Sequence, residues 1–213
     1  MNAASAQTGP LKLYFMRHGE TAWSLSGQHT GRTDLALTPQ GEIEGRQLLP
    51  HLRDISFSHV LTSPSQRAQQ TCALAGLWTQ AEIEPDLSEW DYGDYEGLRS
   101  VDIRQVRPNW NVFQDGCPQG ETPAQISDRA DRLIRRLRTL SGNVALFSHG
   151  QIGRVLAMRW IGQPVSVGQH FALNVASLSV LASDPAHPEM PVIEMWNEIP
   201  KNSAVQFNHH LQS

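Results

Sequence analysis

The chain predicts an α/β fold: a single three-layer domain with a mainly parallel central sheet and helices on both faces. Three observations carry that prediction. Short apolar runs alternate with segments of helical periodicity, the pattern of strands joined by crossover helices. Two of those runs, residues 11–16 and 143–147, end alike, in Arg17-His18-Gly19 and Ser148-His149-Gly150. Three helix starts carry a hydroxyl residue followed by proline: Thr38-Pro39, Ser63-Pro64 and Thr122-Pro123. That is the order of an N-cap and a first helical residue.

Taken in order, residues 1–10 are small and polar and read as a flexible arm. Residues 11–16 read as a strand buried on both faces. Residues 19–37 are polar and glycine-containing and read as a long loop, of the kind that carries function. A helix follows over 38–52, then a strand over 58–62. Ser63-Pro64-Ser65-Gln66 has the capping-box form and predicts a helix over 64–75. A third strand is expected at 81–83. Residues 87–120 are rich in tryptophan and glycine and show no clear period. Thr122-Pro123-Ala124-Gln125 repeats the capping-box form, and Ile126, Ala130, Leu133, Ile134, Leu137 and Leu140 then make one apolar helical stripe. A strand at 143–147, a helix at 151–160 and strands at 176–181 and 192–196 complete a domain spanning 11–200. Residues 201–213 read as a flexible tail.

At 213 residues and 39% hydrophobic, the chain has material for one good core, and no shift in composition marks a linker. The net charge of −4 and the lack of a basic block disfavour a nucleic-acid partner. Arg129, Arg132, Arg135, Arg136 and Arg138 share one amphipathic helix and read as its solvated face. Cys72 and Cys117 have neither CxxC nor zinc spacing, so both are expected to be reduced. No apolar run is long enough for a membrane span, and the start of the chain lacks the pattern of a signal peptide. A cytoplasmic location is expected.

Ligands of open α/β sheets bind beyond the carboxyl ends of the strands. His18 and His149 stand at two such ends, so neighbouring strands would bring both imidazoles into one cleft. Arg17 and Arg67 are the nearby cations, Arg67 lying in the first turn of a helix, where exposed amides also favour an anion. The guanidinium fork matches phosphate oxygens. Two histidines and two arginines can stabilise a phosphoryl group in transfer without a metal or other cofactor. The leaving alkoxide still needs a proton. Glu20, Glu89, Asp91 and Glu96 are the candidate donors, and spacing does not separate them.

The motifs Arg17-His18-Gly19-Glu20-Thr21, Thr62-Ser63-Pro64 with Arg67-Ala68 and Thr71, Leu87-x-Glu89 with Tyr92-Gly93 and Glu96-Gly97, and Ser148-His149-Gly150 occur in that order. The ordered set resembles the histidine phosphatase superfamily, also called phosphoglycerate mutase-like, over residues 11–182. The resemblance implies that His18 is a phosphorylated nucleophile, that Arg17, Arg67 and His149 form the phosphate pocket, and that Glu89 is the acid and base. It also implies a substrate loop in which Gln28, the Thr30 hydroxyl and the Gly31 amide meet the substrate.

Mutases of that family carry Glu-Arg-His-Tyr-Gly around the acid, whereas this chain has Glu89-Trp90-Asp91-Tyr92-Gly93. The mutases also carry a longer arginine-bearing insertion, while the interval 97–120 here holds only Arg99, Arg104 and Arg107. The phosphatase branch is therefore the better match. Trp90, Tyr92, Asp94, Tyr95 and the 110–117 segment resemble the part of that branch containing fungal-type sedoheptulose-1,7-bisphosphatases. Arg154 matches a second phosphate-binding arginine there. The implied partner is a small phosphorylated metabolite, a sugar phosphate or bisphosphate. A mutase, a general acid phosphatase and a phosphoprotein phosphatase are the alternatives.

Overall fold

The computed structural model describes residues 9–200. Most of the arm expected at 1–10, and all of the tail at 201–213, lie outside the described residues. One six-stranded sheet organises the chain, in the order β3-β2-β4-β1-β5-β6. Strands β1 (Lys12–Arg17), β2 (His59–Thr62), β3 (Ala81–Ile83) and β4 (Asn143–Ser148) run parallel. Strands β5 (Leu178–Ser183) and β6 (Pro191–Glu198) form an antiparallel hairpin, with β5 antiparallel to β1.

The two faces of the sheet follow from strand alternation. Leu13, Phe15, Leu61, Val144 and Leu146 point to one face. There they meet Leu133 and Leu137 of α6 (Pro123–Leu137) and Leu156 and Trp160 of α7 (Gly150–Trp160). Met16, Val60, Ala145 and Phe147 point to the other. Their partners are Leu48 and Leu52 of α2 (Pro39–Leu52) and Cys72 of α3 (Gln66–Leu74). Alternate residues of one strand feed different cores, so the central strands read as continuous apolar runs. Each large side chain fully buried in this way contributes about 1.5–3 kcal/mol before entropy is subtracted.

A third cluster covers the carboxyl ends of the strands. It contains Trp90, Tyr92, Trp110 and Phe113, and it packs onto Ile126 and Ala130 of α6 and Ile152 and Val155 of α7. Its chain, left unassigned by sequence, consists of short pieces. These are single 3₁₀ turns at Pro85–Leu87 and Gly93–Tyr95, then α4 (Ser100–Val106) and α5 (Val112–Asp115). The two buried indoles are satisfied: Trp90 donates to the Glu121 carbonyl and Trp110 to the Gly116 carbonyl, both at 2.9 Å.

Three local expectations need correction. The loop at 19–37 contains a one-turn helix, α1 (Ala22–Ser26), closed by a Thr21–Ser24 capping box and by Gly27 at φ 79°. Serine replaces the usual glutamate in that box, which hid it. Helix α3 starts later than expected, with Ser65 as N-cap, and Ser63 makes no cap. The Ser63 hydroxyl faces His149 instead. Arg129 does not belong to a solvated face. Its side chain is only 11% exposed, and it bonds Glu121 together with the carbonyls of Asp86, Ser88 and Glu89.

Candidate active site

Strands β1 and β4 are in register, Arg17 opposite Ser148. His18 and His149 therefore leave the sheet side by side, and their ring centroids are 5.2 Å apart. The expected meeting of two strand-end histidines is what the sheet produces. Gly19 and Gly150 serve packing here. A Cβ on Gly19 would lie 2.3 Å from the Gly41 carbonyl oxygen of α2, and one on Gly150 would press on the Arg17 guanidinium at 3.3 Å.

The hydrogen bonds set the tautomers. His18 Nδ1 lies 2.7 Å from the Gly19 carbonyl oxygen, which can only accept. Nδ1 carries the proton and Nε2 keeps its lone pair. Burial first, then the Arg17 and Arg67 cations, holds His18 well below the usual histidine range, outweighing the raising effect of the Gly19 bond. Arg67 Nε donates to His149 Nδ1 at 3.1 Å, so the His149 proton sits on Nε2, 2.7 Å from Ser63 Oγ. Burial and the same arginines also push His149 down. Both rings are neutral at neutral pH.

A cleft of about 190 Å³ opens above them, lined by Arg17, His18, Gln28, Thr30, Glu89 and Arg154, with Ser24, His29, Tyr92 and Gln151 among its other walls. Arg17 is the last residue of β1, where the alternation ends, so it and the next residue both reach this cleft. Arg17 also donates to the Leu173 carbonyl. Its Nε and that of Arg154 are buried without a hydrogen-bond partner among the described residues. Buried unpaired donors of this kind are rare.

Arg67 and His149 form the layer beneath. Arg67 is fully buried, and its terminal nitrogens donate to the carbonyls of Thr33, Thr30 and Gly31. It thereby fastens the 30–33 loop to His149.

The four carboxylate candidates now separate. Glu20 accepts from the Thr38 hydroxyl at 2.6 Å. Asp91 pairs with Arg32 at 2.7 Å. Glu96 accepts from the amides of Gly31 and Thr33. Only Glu89 lines the cleft. Its oxygens accept from the Gln151 and Ile152 amides at the start of α7 and from its own neighbour Trp90. The same geometry corrects the expectation for Gly31. Its amide is spent on Glu96 and is not offered to the cleft.

Sequence reasoning gave no site role to several wall residues. His29 stacks on Tyr92 at 4.5 Å, and burial lowers its pKa to about 4. Burial, then the Glu89 charge, raises Tyr92 well above the usual tyrosine range. A histidine between Gln28 and Thr30, in a loop already read as functional, was the available signal.

The sheet with its paired strand-end histidines and cleft arginines defines an α/β enzyme that handles phosphate esters. The chain belongs to the histidine phosphatase superfamily (branch 1), whose family model matches residues 13–198. An acid phosphatase of Mycobacterium tuberculosis is 40% identical, over 85% of this chain and 91% of that protein. The sedoheptulose 1,7-bisphosphatase of Saccharomyces cerevisiae is 36% identical, over 69% of this chain and 66% of its own length. A solved structure of an open reading frame product from Mycobacterium tuberculosis superposes with a TM-score of 0.84 at 34% identity, covering 89% of this chain and 98% of that one. This chain is a phosphatase of that superfamily.

Proposed function

We propose that this phosphatase is metal-independent and hydrolyses a small phosphorylated metabolite, a sugar phosphate or bisphosphate, through a phosphohistidine on His18. The observation that carries the reading is the His18 tautomer. Its Nδ1 is committed to the Gly19 carbonyl, so the Nε2 lone pair is free, in a cleft lined by two arginines.

In the first step Nε2 bonds to phosphorus, the ester P–O bond breaks, and Glu89 passes a proton to the leaving oxygen. In the second, Glu89 takes a proton from water, the hydroxide oxygen bonds to phosphorus, and the N–P bond breaks. Inorganic phosphate leaves and His18 is regenerated. Arg17 meets the phosphoryl oxygens in the cleft, where preorganised donors are worth most, while Arg67 and His149, whose Nε2–H faces Ser63 Oγ, support His18 from the layer beneath. Cationic side chains supply the charge stabilisation that a metal gives elsewhere.

Arg154 favours a substrate with a second anionic group. It lies on the cleft wall, near the ring of Phe113, with Nε unpaired. Gln28 and Thr30 also line the cleft, but the Gln28 side chain is engaged at both ends, accepting from Ser26 Oγ at 2.6 Å and donating to the Gly97 carbonyl at 2.8 Å, and the Thr30 hydroxyl meets the Gln28 carbonyl at 3.4 Å, so a substrate would have to displace those contacts. A distal phosphate on Arg154 lets remote binding energy orient the reacting end. The test is a panel of sugar phosphates and bisphosphates assayed with and without chelator. Activity should survive chelation, and Arg154→Ala should cut kcat/KM for the preferred bisphosphate by about 1.5–3 kcal/mol while sparing a small monophosphate. Equal loss on both substrates would move Arg154 into the reacting pocket. Loss of activity restored by added magnesium would refute metal independence.

A further inference from the structure

On the side away from the cleft, His18 is tied to a carboxylate through a single peptide unit. The Gly19 carbonyl that accepts from His18 Nδ1–H belongs to the same planar group as the Glu20 N–H. That N–H donates to Glu44 Oε2 of α2 at 2.8 Å. We infer that Glu44 is a positioning residue for His18, holding the Gly19–Glu20 peptide so that the Gly19 carbonyl keeps the imidazole proton on Nδ1. The inference rests on His18 being the nucleophile of the proposed function.

The segment is built for this. All four of its backbone polar groups are engaged. The Gly19 N–H donates to Thr71 Oγ1 at 3.1 Å, and the Glu20 carbonyl accepts from the Thr38 amide at 2.9 Å. His18 and Glu44 take the two groups between. Two glycines allow the contact: a Cβ on Gly41 would lie 2.1 Å from the Glu20 carbonyl oxygen, as one on Gly19 would clash with Gly41. The backbones of α2 and of the strand end touch directly, so Glu44 reaches the peptide from three residues beyond Gly41.

Glu44 makes no ion pair among the described residues. Its second oxygen meets only Gln40, at 3.4 Å.

A carboxylate acceptor makes a stronger bond than a neutral one. It also polarises the amide, so the carbonyl at the other end becomes a better acceptor. In the proposed transfer the Nδ1 proton stays on the ring while Nε2 bonds to phosphorus. The positive charge this places on the imidazole is met by the polarised Gly19 carbonyl. The interaction grows in the transition state, so its loss falls on kcat and not on KM.

The test compares Glu44→Ala with Glu44→Gln, whose amide oxygen can accept the same N–H. Kinetics on an aryl phosphate are read beside the ¹⁵N signals of the His18 ring in the phosphate-free enzyme. Glu44→Ala should lower kcat about tenfold, leave KM within about twofold, and shift His18 from the Nδ1–H tautomer toward a mixture. Glu44→Gln should recover most of the rate and the single tautomer. If the alanine variant melts below assay temperature, Glu44→Met, which keeps the stem and loses the acceptor, takes its place. Unchanged kcat, a rate loss with the His18 tautomer unmoved, or no recovery in Glu44→Gln would each overturn the inference. Phosphate trapped in the wild type on another residue would instead defeat the proposed function, while the ring signals would still report whether Glu44 sets the tautomer.

Discussion

The floor and the wall of the cleft are made in different ways. The floor is two adjacent parallel strand ends, β1 and β4, with His18 and His149 brought together by register. The wall is an excursion of short turns between β3 and α6, with its own cluster of buried aromatics. Backbone ladders position the floor. Individual side chains position the wall, and one of them, Arg129, joins Asp86, Ser88, Glu89 and Glu121 at once. The contrast shows where precision comes from. Regular structure brings the proposed nucleophile to the cleft, whereas a buried side-chain network holds the backbone of the proposed acid, whose carboxylate then meets the first amides of α7.

If that division holds, changes in the wall should act on proton transfer more than on phosphoryl binding. The largest effect is expected at Glu89. Glu89→Gln should slow hydrolysis of alkyl phosphates by roughly 10²–10⁴-fold, and aryl phosphates, whose leaving groups need less help, by much less. Equal losses on both classes would make Glu89 a structural residue of the wall.

Arg129 gives a smaller and different effect. Its guanidinium is mostly buried against Glu121 at 2.7 Å. Arg129→Ala would strip partners from that carboxylate and from three carbonyls, and should cost roughly 2–4 kcal/mol in urea unfolding. The surviving folded enzyme should lose alkyl-phosphate turnover preferentially, as its Glu89 carbonyl loses an anchor. A stable variant with normal turnover would show that the aromatic cluster alone holds the wall.

The same contrast explains what the sequence disclosed. Most strands and the longer helices were legible because their apolar runs and proline-marked starts are local signals. β1, β3, β4 and α2 fall where expected, to within about a residue, whereas α6 stops at Leu137, three residues before Leu140, the last member of its expected stripe. The histidine pair was legible because both runs end in the same motif. The wall was not, since turns such as Pro85–Leu87 and Gly93–Tyr95 are too short to show a period. They are fixed by partners such as Arg129 and Glu121, whose roles no spacing reveals. Ser63 was misjudged because a capping pattern competed with a tertiary contact to His149, and the tertiary contact won. Gly31 was misjudged because the partner that occupies its amide, Glu96, lies 65 residues away. Glu44 carried no signal at all, because its link to His18 exists only once α2 packs against the end of β1.

In the proposed reaction the floor presents His18, whose Nε2 attacks phosphorus. Rapid mixing with a phosphorylated substrate, an acid-free quench and peptide mass spectrometry test it directly. Phosphate is expected on the peptide carrying His18, absent from His18→Ala, with that variant still folded and its turnover lower by on the order of 10⁴-fold or more. Phosphate on a serine or an aspartate, or undiminished turnover in His18→Ala, would contradict it.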